Sequence, residues 1–218
     1  MRLICTPVLL LAVCASGCAE RSRPKTSGAV SIEAPAPPGW RDTATPADAE
    51  WIDHLAAEWG RAIASVPVRL RAKLSAEGPL LKPDAALDAP VLTPGSYHCR
   101  LIRLGGRRGV ISYKPDFCYI ANSDRKWSFT KQTGENLPGG WLFEDGDKRL
   151  VFLGTRRPAH ADVAPPYGEE PSRDVAGVIE RVAPFRWRMV LPRPGTAGEL
   201  DIYELTPAVS AGGGGLAR

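Results

Sequence analysis

The spacing of apolar residues changes character near the middle of the chain. In the first half, apolar side chains recur at helical spacing over Ile52–Ile63, which predicts an amphipathic helix. Thr45 supplies an N-cap, and a proline occupies the first helical position. We expect this helix to end before Pro67, and a weaker helical pattern follows over Arg69–Ala76. Residues 46–94 are therefore predicted to form a helical segment.

From Pro94-Gly95 onward, short β-rich runs alternate with turn signals, and no helical pattern separates them. Within Phe185–Leu191, apolar residues alternate with Arg186 and Arg188, which predicts a strand with one buried face. Many short strands with close connections favour an antiparallel barrel or sandwich over a parallel α/β fold. The predicted strands are Tyr97–Leu104, Val110–Tyr113, Phe117–Ala121, Trp127–Lys131, Trp141–Phe143, Leu150–Leu153, Val175–Val182, Phe185–Leu191 and Leu200–Leu205.

These patterns predict a mainly β protein. We expect an antiparallel β-barrel of about eight strands over residues 95–206, with the helical segment packed on it. Residues 18–45 are rich in proline, serine, alanine and charge, which is typical of a flexible tether. The proline-rich stretch 156–173 is predicted to be a long loop, and residues 207–218, with their glycine run, a disordered tail.

Residues 1–17 are predicted to be a signal peptide. An apolar run over Leu3–Ala15 follows one basic residue, is too short to span a bilayer, and precedes small residues. The junction Ala15-Ser16-Gly17-Cys18 resembles the lipobox of bacterial lipoproteins, in which the cysteine is lipidated and becomes the mature N-terminus. An ordinary cleaved signal, with Cys18 incidental, is the alternative. We expect lipidated Cys18 to anchor the protein on the periplasmic side of the outer membrane.

Export decides how the remaining cysteines are interpreted. Cys5 and Cys14 would leave with the signal peptide and Cys18 would carry lipid, so only Cys99 and Cys118 stay in the mature domain. Two cysteines in an oxidising compartment most simply form a disulfide. The sequence therefore predicts a structural Cys99–Cys118 bond.

The charge distribution suggests one class of partner. The formal net charge is +4, and basic residues exceed acidic ones mainly within Tyr97–Arg149, where Arg100, Arg103, Arg107 and Arg108 cluster. A solvated hairpin face would explain this cluster, and so would attraction to an anionic envelope component or an acidic protein surface. Nucleic acid is not expected as a partner, because an exported lipoprotein would not meet it. We expect a monomer.

No familiar catalytic motif occurs in the chain. It contains no nucleophile elbow, zinc-protease helix, P-loop or dinucleotide fingerprint. The histidines His54, His98 and His160 are scattered and no C-x-x-C pair exists, so neither a metal nor a cofactor is predicted. An enzyme is disfavoured.

Several stretches together resemble a known family. The segment Tyr167–Pro194, with "LTPGSYHCRLIRLG", "FCYI", "VFLGT" and "LDIYELTP", is similar to exported alphaproteobacterial proteins catalogued as the domain of unknown function numbered 4893. The similarity runs from about Gly39 to Pro207 and includes the N-terminal helix. That family has no assigned activity, so the resemblance implies class and compartment but no reaction.

The layout also resembles, more loosely, the small periplasmic inhibitors of bacterial metalloproteases. Those proteins are eight-stranded barrels with an early disulfide and an N-terminal segment that enters the protease cleft. The stretch "PGGWLFEDGDKRLVFL" and the Cys99/Cys118 pair carry this likeness. It implies a fold, and a shared fold does not establish a shared function.

Two function classes remain. The first, which we favour, is a non-catalytic binding module, inhibitor-like or ligand-binding, that contacts an envelope protein, glycan or lipid. The second is a hydrolase or lyase of unrecognised type. The expected binding residues are Arg100, Tyr167, Arg173, Asp174 and Arg188, and the enzyme alternative would use Tyr167, Arg173, Asp174, Glu180 and Arg188.

Overall fold

The computed structural model describes residues 38–123, 126–158 and 165–208. The predicted signal peptide, the lipidation site Cys18, most of the predicted tether and nearly all of the predicted tail lie outside the described residues. Within the described ranges, no helix is long and apolar enough to cross a membrane.

Eight strands form a closed antiparallel barrel. Each strand pairs with the next along the chain, and β1 pairs with β8 to close the sheet. Closure leaves no unpaired edge strand. The predicted fold class is therefore confirmed. The strands are β1 (Gly95–Gly105), β2 (Gly109–Ser123), β3 (Lys126–Lys131), β4 (Leu137–Asp145), β5 (Arg149–Arg157), β6 (Asp174–Ala183), β7 (Arg186–Pro192) and β8 (Leu200–Pro207).

Strand β2 is longer than predicted. The sequence pattern suggested two strands interrupted at Lys114-Pro115, but β2 runs continuously through the proline. Pro115 lies opposite Arg100, where the register of β1 against β2 shifts at an irregularity in the pairing. Proline lacks a backbone N–H and is tolerated in sheets at such bulges. The two stretches predicted as separate strands are therefore one strand, and the barrel has eight strands.

The helical segment lies where the pattern placed it, with two differences: the predicted first helix is divided into two helices at His54, and its start differs. The side chain of Thr45 accepts a hydrogen bond from the Asp48 amide at 3.2 Å, which confirms the predicted N-cap. However, a helical turn precedes Thr45 within the expected tether, and its Trp40 is buried. The helices are α1 (Trp40–Thr43), α2 (Pro46–Asp53), α3 (Leu55–Ala64) and α4 (Arg71–Ala76), with 3-10 turns at Val68–Leu70 and Gly78–Leu81.

The barrel wall packs apolar side chains on both of its faces. One core fills the interior, where Phe129 and Phe152 meet edge to face at 5.9 Å. The other core lies between the helices and the outer face of the wall, and joins Ile52 and Trp59 to strand residues such as Val178 and Val190. The helices therefore cover part of the barrel's outer surface.

This second core changes the interpretation of β7. The sequence predicted one buried face, but Val190 and Arg188 on the other face are both fully buried, because the helical segment covers them. Phe185 was expected in the core and is instead 76% exposed. It lies in the tight turn before β7 with φ at 54°, so the alternating pattern starts only at Trp187.

The predicted disulfide is present. Cys99 on β1 and Cys118 on β2 are bonded, and both are completely buried among the side chains of the barrel interior. The bond therefore ties two neighbouring strands from the inside of the barrel.

Removing this bond should lower the stability of the domain. The two cysteines are 19 residues apart. Breaking a cross-link that closes a loop of about this size gives the unfolded chain more conformational freedom, which stabilises the unfolded state by about 3 kcal/mol. We expect the double variant Cys99→Ala/Cys118→Ala to lose about that much free energy of unfolding in denaturant titrations. Reductant should reproduce the loss in the wild type and have no effect on the double variant. Equal midpoints for oxidised wild type and double variant would contradict this.

Candidate functional site

One end of the barrel interior is polar and contains a cavity. The turns that follow β1, β3, β5 and β7 all lie at this end, because the strands alternate in direction. The cavity has a volume of about 250 Å³. We call its lining the barrel mouth, which consists of Arg103, Asn136, Arg156, Arg193, Pro194 and Asp201.

Strand register brings the charged side chains of the mouth together. Arg103 on β1 lies directly opposite Asp201 on β8. Arg156 is the next-to-last residue of β5, and Arg193 follows the last residue of β7. Asp201 alternates with Tyr203 and Leu205, which pack in the interior core. Four charged groups from separate parts of the chain therefore meet where the apolar interior ends.

Asp201 is the acidic member of the mouth. Only 5% of it is exposed, and its Oδ1 lies 3.4 Å from Nε of Arg103. Neither of these two atoms has a hydrogen-bond partner among the described residues. Burial raises the pKa of Asp201, although Arg103, Arg156 and Arg193 oppose that shift. The pair is an ion pair without a well-aligned hydrogen bond.

The arginines of the mouth differ in how their charge is balanced. Arg193 donates to the carboxylate of Glu199. Arg103 contacts Asp201 and donates to the Tyr113 hydroxyl at 3.0 Å. Arg156 instead donates to the backbone carbonyl of Pro192 at 2.8 Å, and no acidic side chain of the described residues pairs with it within 4.0 Å. Burial lowers the pKa of Arg156, with partial compensation from the Asp201 charge.

The predicted binding residue Arg188 is fully buried under the helical segment. Its Nε donates to Glu180, directly opposite on β6, at 2.7 Å. Its guanidinium also lies 4.8 Å from the ring centre of Trp59 on α3, a cation–π contact. The remaining N–H groups donate to backbone carbonyls of Pro79, Leu80, Lys82 and Pro83. Arg188 and Glu180 therefore hold the helical segment against the barrel.

Arg100 makes a second attachment of the same kind. It donates two hydrogen bonds to Glu77 at the end of α4, at 3.0 and 2.7 Å, and one to Glu204 on β8 at 2.6 Å. The hydrogen bond to Glu77 is the main reason that the pKa of Arg100 is raised. This guanidinium therefore joins α4 to the barrel wall.

The other predicted residues close the loop between β5 and β6. The Tyr167 hydroxyl donates to Asp48 and accepts from the Thr45 amide at 3.0 Å, and burial raises its pKa to about 12. Arg173 pairs with Glu170 at 2.7 Å, and Asp174 accepts from the Gly168 amide. Each of these side chains has an intramolecular partner, and Arg100, Tyr167 and Arg188 all fasten the helical segment.

Most of the mouth was not predicted from the sequence. Arg103 was recognised only as part of a basic cluster, and Arg156, Arg193 and Asp201 were not predicted as site residues. A charged residue at an inward-facing position near a strand end was the available signal, and Asp201 within "LDIYEL" is the clearest case. Recognising it requires knowing which face of β8 points inward.

A second cavity lies at the opposite end of the barrel. Its volume is about 390 Å³, and Asp88, Glu144 and Asp147 line it. In the part of the chain that the structure describes, no group of three or more His, Cys, Asp or Glu residues is arranged to hold a metal ion.

Replacing Arg188 should destabilise the domain strongly. Arg188→Met would leave Glu180 buried without its partner, and removing one member of a buried ion pair costs about 3–5 kcal/mol. We expect that loss in urea titrations, together with faster amide hydrogen exchange across residues 40–81. Arg186→Met is the matched control, since its pair with Glu204 is partly exposed and is worth about 1 kcal/mol or less. Equal losses in the two variants would contradict the assigned role.

Asp201 should make stability depend on pH. Its pKa is raised on folding, so the stability contributed by the protonated carboxyl is complete below the ordinary pKa of 3.8 and is lost as pH rises through the raised value. Asparagine cannot ionise. We therefore expect the unfolding free energy of Asp201→Asn, relative to wild type, to increase as the pH rises above 3.8 and to level off once Asp201 has ionised. The exposed Asp84→Asn serves as control, and a pH-independent difference for Asp201→Asn would refute this expectation.

Comparison with known proteins places the chain in a family. No curated protein matches its sequence. A family described as a domain of unknown function, DUF4893, matches residues 40–205. The match begins at Trp40 on α1 and ends at Leu205 on β8, so it includes the helical segment and reaches all eight strands. The chain therefore belongs to the DUF4893 family.

Proposed function

We propose that the protein is a non-catalytic binding module of the bacterial cell envelope, with its ligand site at the barrel mouth. The observation that carries this proposal is the convergence of Arg103, Arg156 and Arg193 on one small cavity beside the buried acidic residue Asp201. Buried charges are costly unless they are paired. Asp201 is almost fully buried, and the partly buried Arg156 has no acidic partner among the described residues, so a ligand that pairs with them best explains this arrangement.

The side chains of the mouth favour binding over catalysis. An arginine guanidinium does not release its proton in proteins, so it orients and neutralises a ligand but does not act as a general base. The cavity, at about 250 Å³, lies below the range of about 300–1,000 Å³ typical of sites for drug-sized ligands. The mouth therefore suits a small molecule or the terminal group of a larger one.

Location in the envelope is part of the proposal. The lipobox-like junction ending at Cys18 supports lipid anchoring, and the buried Cys99–Cys118 disulfide supports an oxidising compartment. An outer-membrane lipoprotein facing the periplasm fits both features. The barrel would then present its mouth to soluble or membrane-attached envelope molecules as a monomer.

Ligand mapping tests the binding site. We expect ¹⁵N-labelled protein titrated with a panel of amino acids, sugars, sugar phosphates and dicarboxylates to show amide shifts centred on the barrel mouth. The panel compounds should be recovered chemically unchanged. Shifts confined to the loop that contains Tyr167 and Arg173, or none at all, would refute the site. Conversion of a panel compound would favour the hydrolase or lyase alternative.

Lipidation has its own test. When the full chain is expressed in a bacterial host, we expect mass spectrometry to find a triacylated N-terminal cysteine at Cys18. Cys18→Ala should release the protein from membranes or leave the precursor uncleaved, whereas Cys14→Ala should change neither result. An unmodified mature N-terminus at another residue would contradict the anchor.

A further inference from the structure

Among the residues that the structure describes, one cation of the barrel mouth has no bonded acid to balance its charge. Arg193 is bonded to Glu199, and Arg103 contacts Asp201 at 3.4 Å. Arg156 lines the same cavity, and its hydrogen bond goes to a neutral backbone carbonyl. With Glu199 counted, the described residues of the mouth comprise three guanidinium groups and two carboxylates, which leaves one excess positive charge among them.

We propose that the barrel mouth binds a phosphoryl group that still carries at least one proton, either inorganic phosphate or a phosphate monoester. Arg156 pairs with the anionic oxygens, and the Asp201 carboxylate accepts a hydrogen bond from the remaining P–OH group. This inference rests on the proposed function and specifies the chemical class of its ligand.

The excess charge explains why the ligand is an oxyanion. A guanidinium presents N–H donors in a planar fork that matches the oxygens of phosphate and carboxylate groups. Burial lowers the pKa of Arg156, which means that its charged form lacks full compensation in the empty cavity. A bound anion supplies that compensation. The small cavity admits a terminal phosphoryl group but not a bulky ligand.

Asp201 explains why the oxyanion carries a proton. An ionised carboxylate only accepts hydrogen bonds, and it repels an anion that has no proton to donate. Asp201 is almost fully buried, and its Oδ1 lacks a hydrogen-bond partner among the described residues. Phosphate monoesters lose their second proton with a pKa of about 6, so near that pH many still carry P–OH. Sulfate carries none. Asp201 should therefore select phosphate against sulfate.

Both free and lipid-borne phosphate fit this chemistry. The turn between β1 and β2 lies at the same end of the barrel and carries the exposed Arg107 and Arg108. These two residues place additional positive charge near the mouth, which would attract either a soluble anion or an anionic lipid headgroup. The source must therefore be distinguished by experiment.

Calorimetry with orthophosphate and sulfate tests the proposal on the full folded domain. At about pH 6 we expect orthophosphate to bind at least about ten-fold more tightly than sulfate. Arg156→Gln should weaken phosphate binding at least about ten-fold, and Arg156→Lys should weaken it less, because lysine keeps the charge but loses the fork. Arg41→Gln removes the same charge from an exposed pair on α1 and should leave binding unchanged.

The acidic partner has a separate variant. Asp201→Asn should bring the affinities for phosphate and sulfate close together, because asparagine neither repels sulfate nor requires a proton from the ligand. Each variant is first checked for the wild-type melting transition, and Arg156→Lys decides the matter if Arg156→Gln does not fold. Equal binding of phosphate and sulfate to wild type, or full phosphate affinity in Arg156→Lys and Arg156→Gln, would overturn the proposal.

Vesicles distinguish the source of the phosphoryl group. Phosphatidic acid has a monoester headgroup, whereas phosphatidylglycerol has a diester headgroup that lacks the second proton. Binding to phosphatidic acid vesicles that requires Arg156 indicates a lipid ligand, and binding of orthophosphate alone indicates a soluble one. If a neutral panel compound binds at the mouth and neither phosphate form does, the proposed function stands and this inference fails. If nothing binds at the mouth, both fail.

Discussion

The buried Arg188 guanidinium connects the two layers of this protein. It is the only described side chain that joins β6, the α3 tryptophan Trp59 and the 3-10 region at Pro79–Pro83 through one planar group. A buried charge of this kind is tolerated because Glu180 and several carbonyl oxygens satisfy its donors. The helical segment and the barrel therefore depend on each other, since either one alone would leave buried polar groups without partners.

Coverage by the helices divides the barrel's outer surface into two regions. On β5 to β8 and on β1, outward-facing residues such as Val151 and Ile202 belong to the core beneath the helices. On the uncovered side, Phe117, Tyr119 and Trp141 are each between about two fifths and half exposed. Behind both regions of the wall, the interior of the barrel is filled by the same apolar cluster. The outer face of the wall therefore packs against the helices on one side of the barrel and faces solvent on the other.

Polar groups are concentrated where the interior core ends. At the end of the barrel that contains the mouth, Lys131 is the last residue of β3 and pairs with Asp116 at 2.7 Å. The lysine ammonium also donates to the carbonyls of Thr133 and Glu135. That cluster is internally satisfied, whereas the mouth, with Arg156 and Asp201, is not. The Lys131 charge is used in folding. This difference is the physical basis for proposing a ligand site at the mouth and not at the arginines that fasten the helices.

The sequence by itself determined the class of the fold, its disulfide and its family likeness. Period-two alternation, turn residues and the Thr45 cap are local signals, and local backbone geometry follows from them. The Cys99–Cys118 bond followed from the cysteine count together with the expectation that the chain is exported, which requires no coordinates. Local rules failed at Pro115, which lies beside an irregularity in the pairing of β1 with β2, so that β2 continues through the proline.

Only the tertiary structure decided what covers each strand and which charges meet. The alternation of apolar and polar residues along β7 shows that Arg188 and Trp187 point to opposite faces of the strand. It does not show that the helices bury the face that carries Arg188. Nor does it show that Arg156 and Asp201, on strands that are not neighbours, share a cavity. Both outcomes depend on barrel closure and on the packing of a separate segment, and these arise from long-range contacts that no single stretch of sequence encodes.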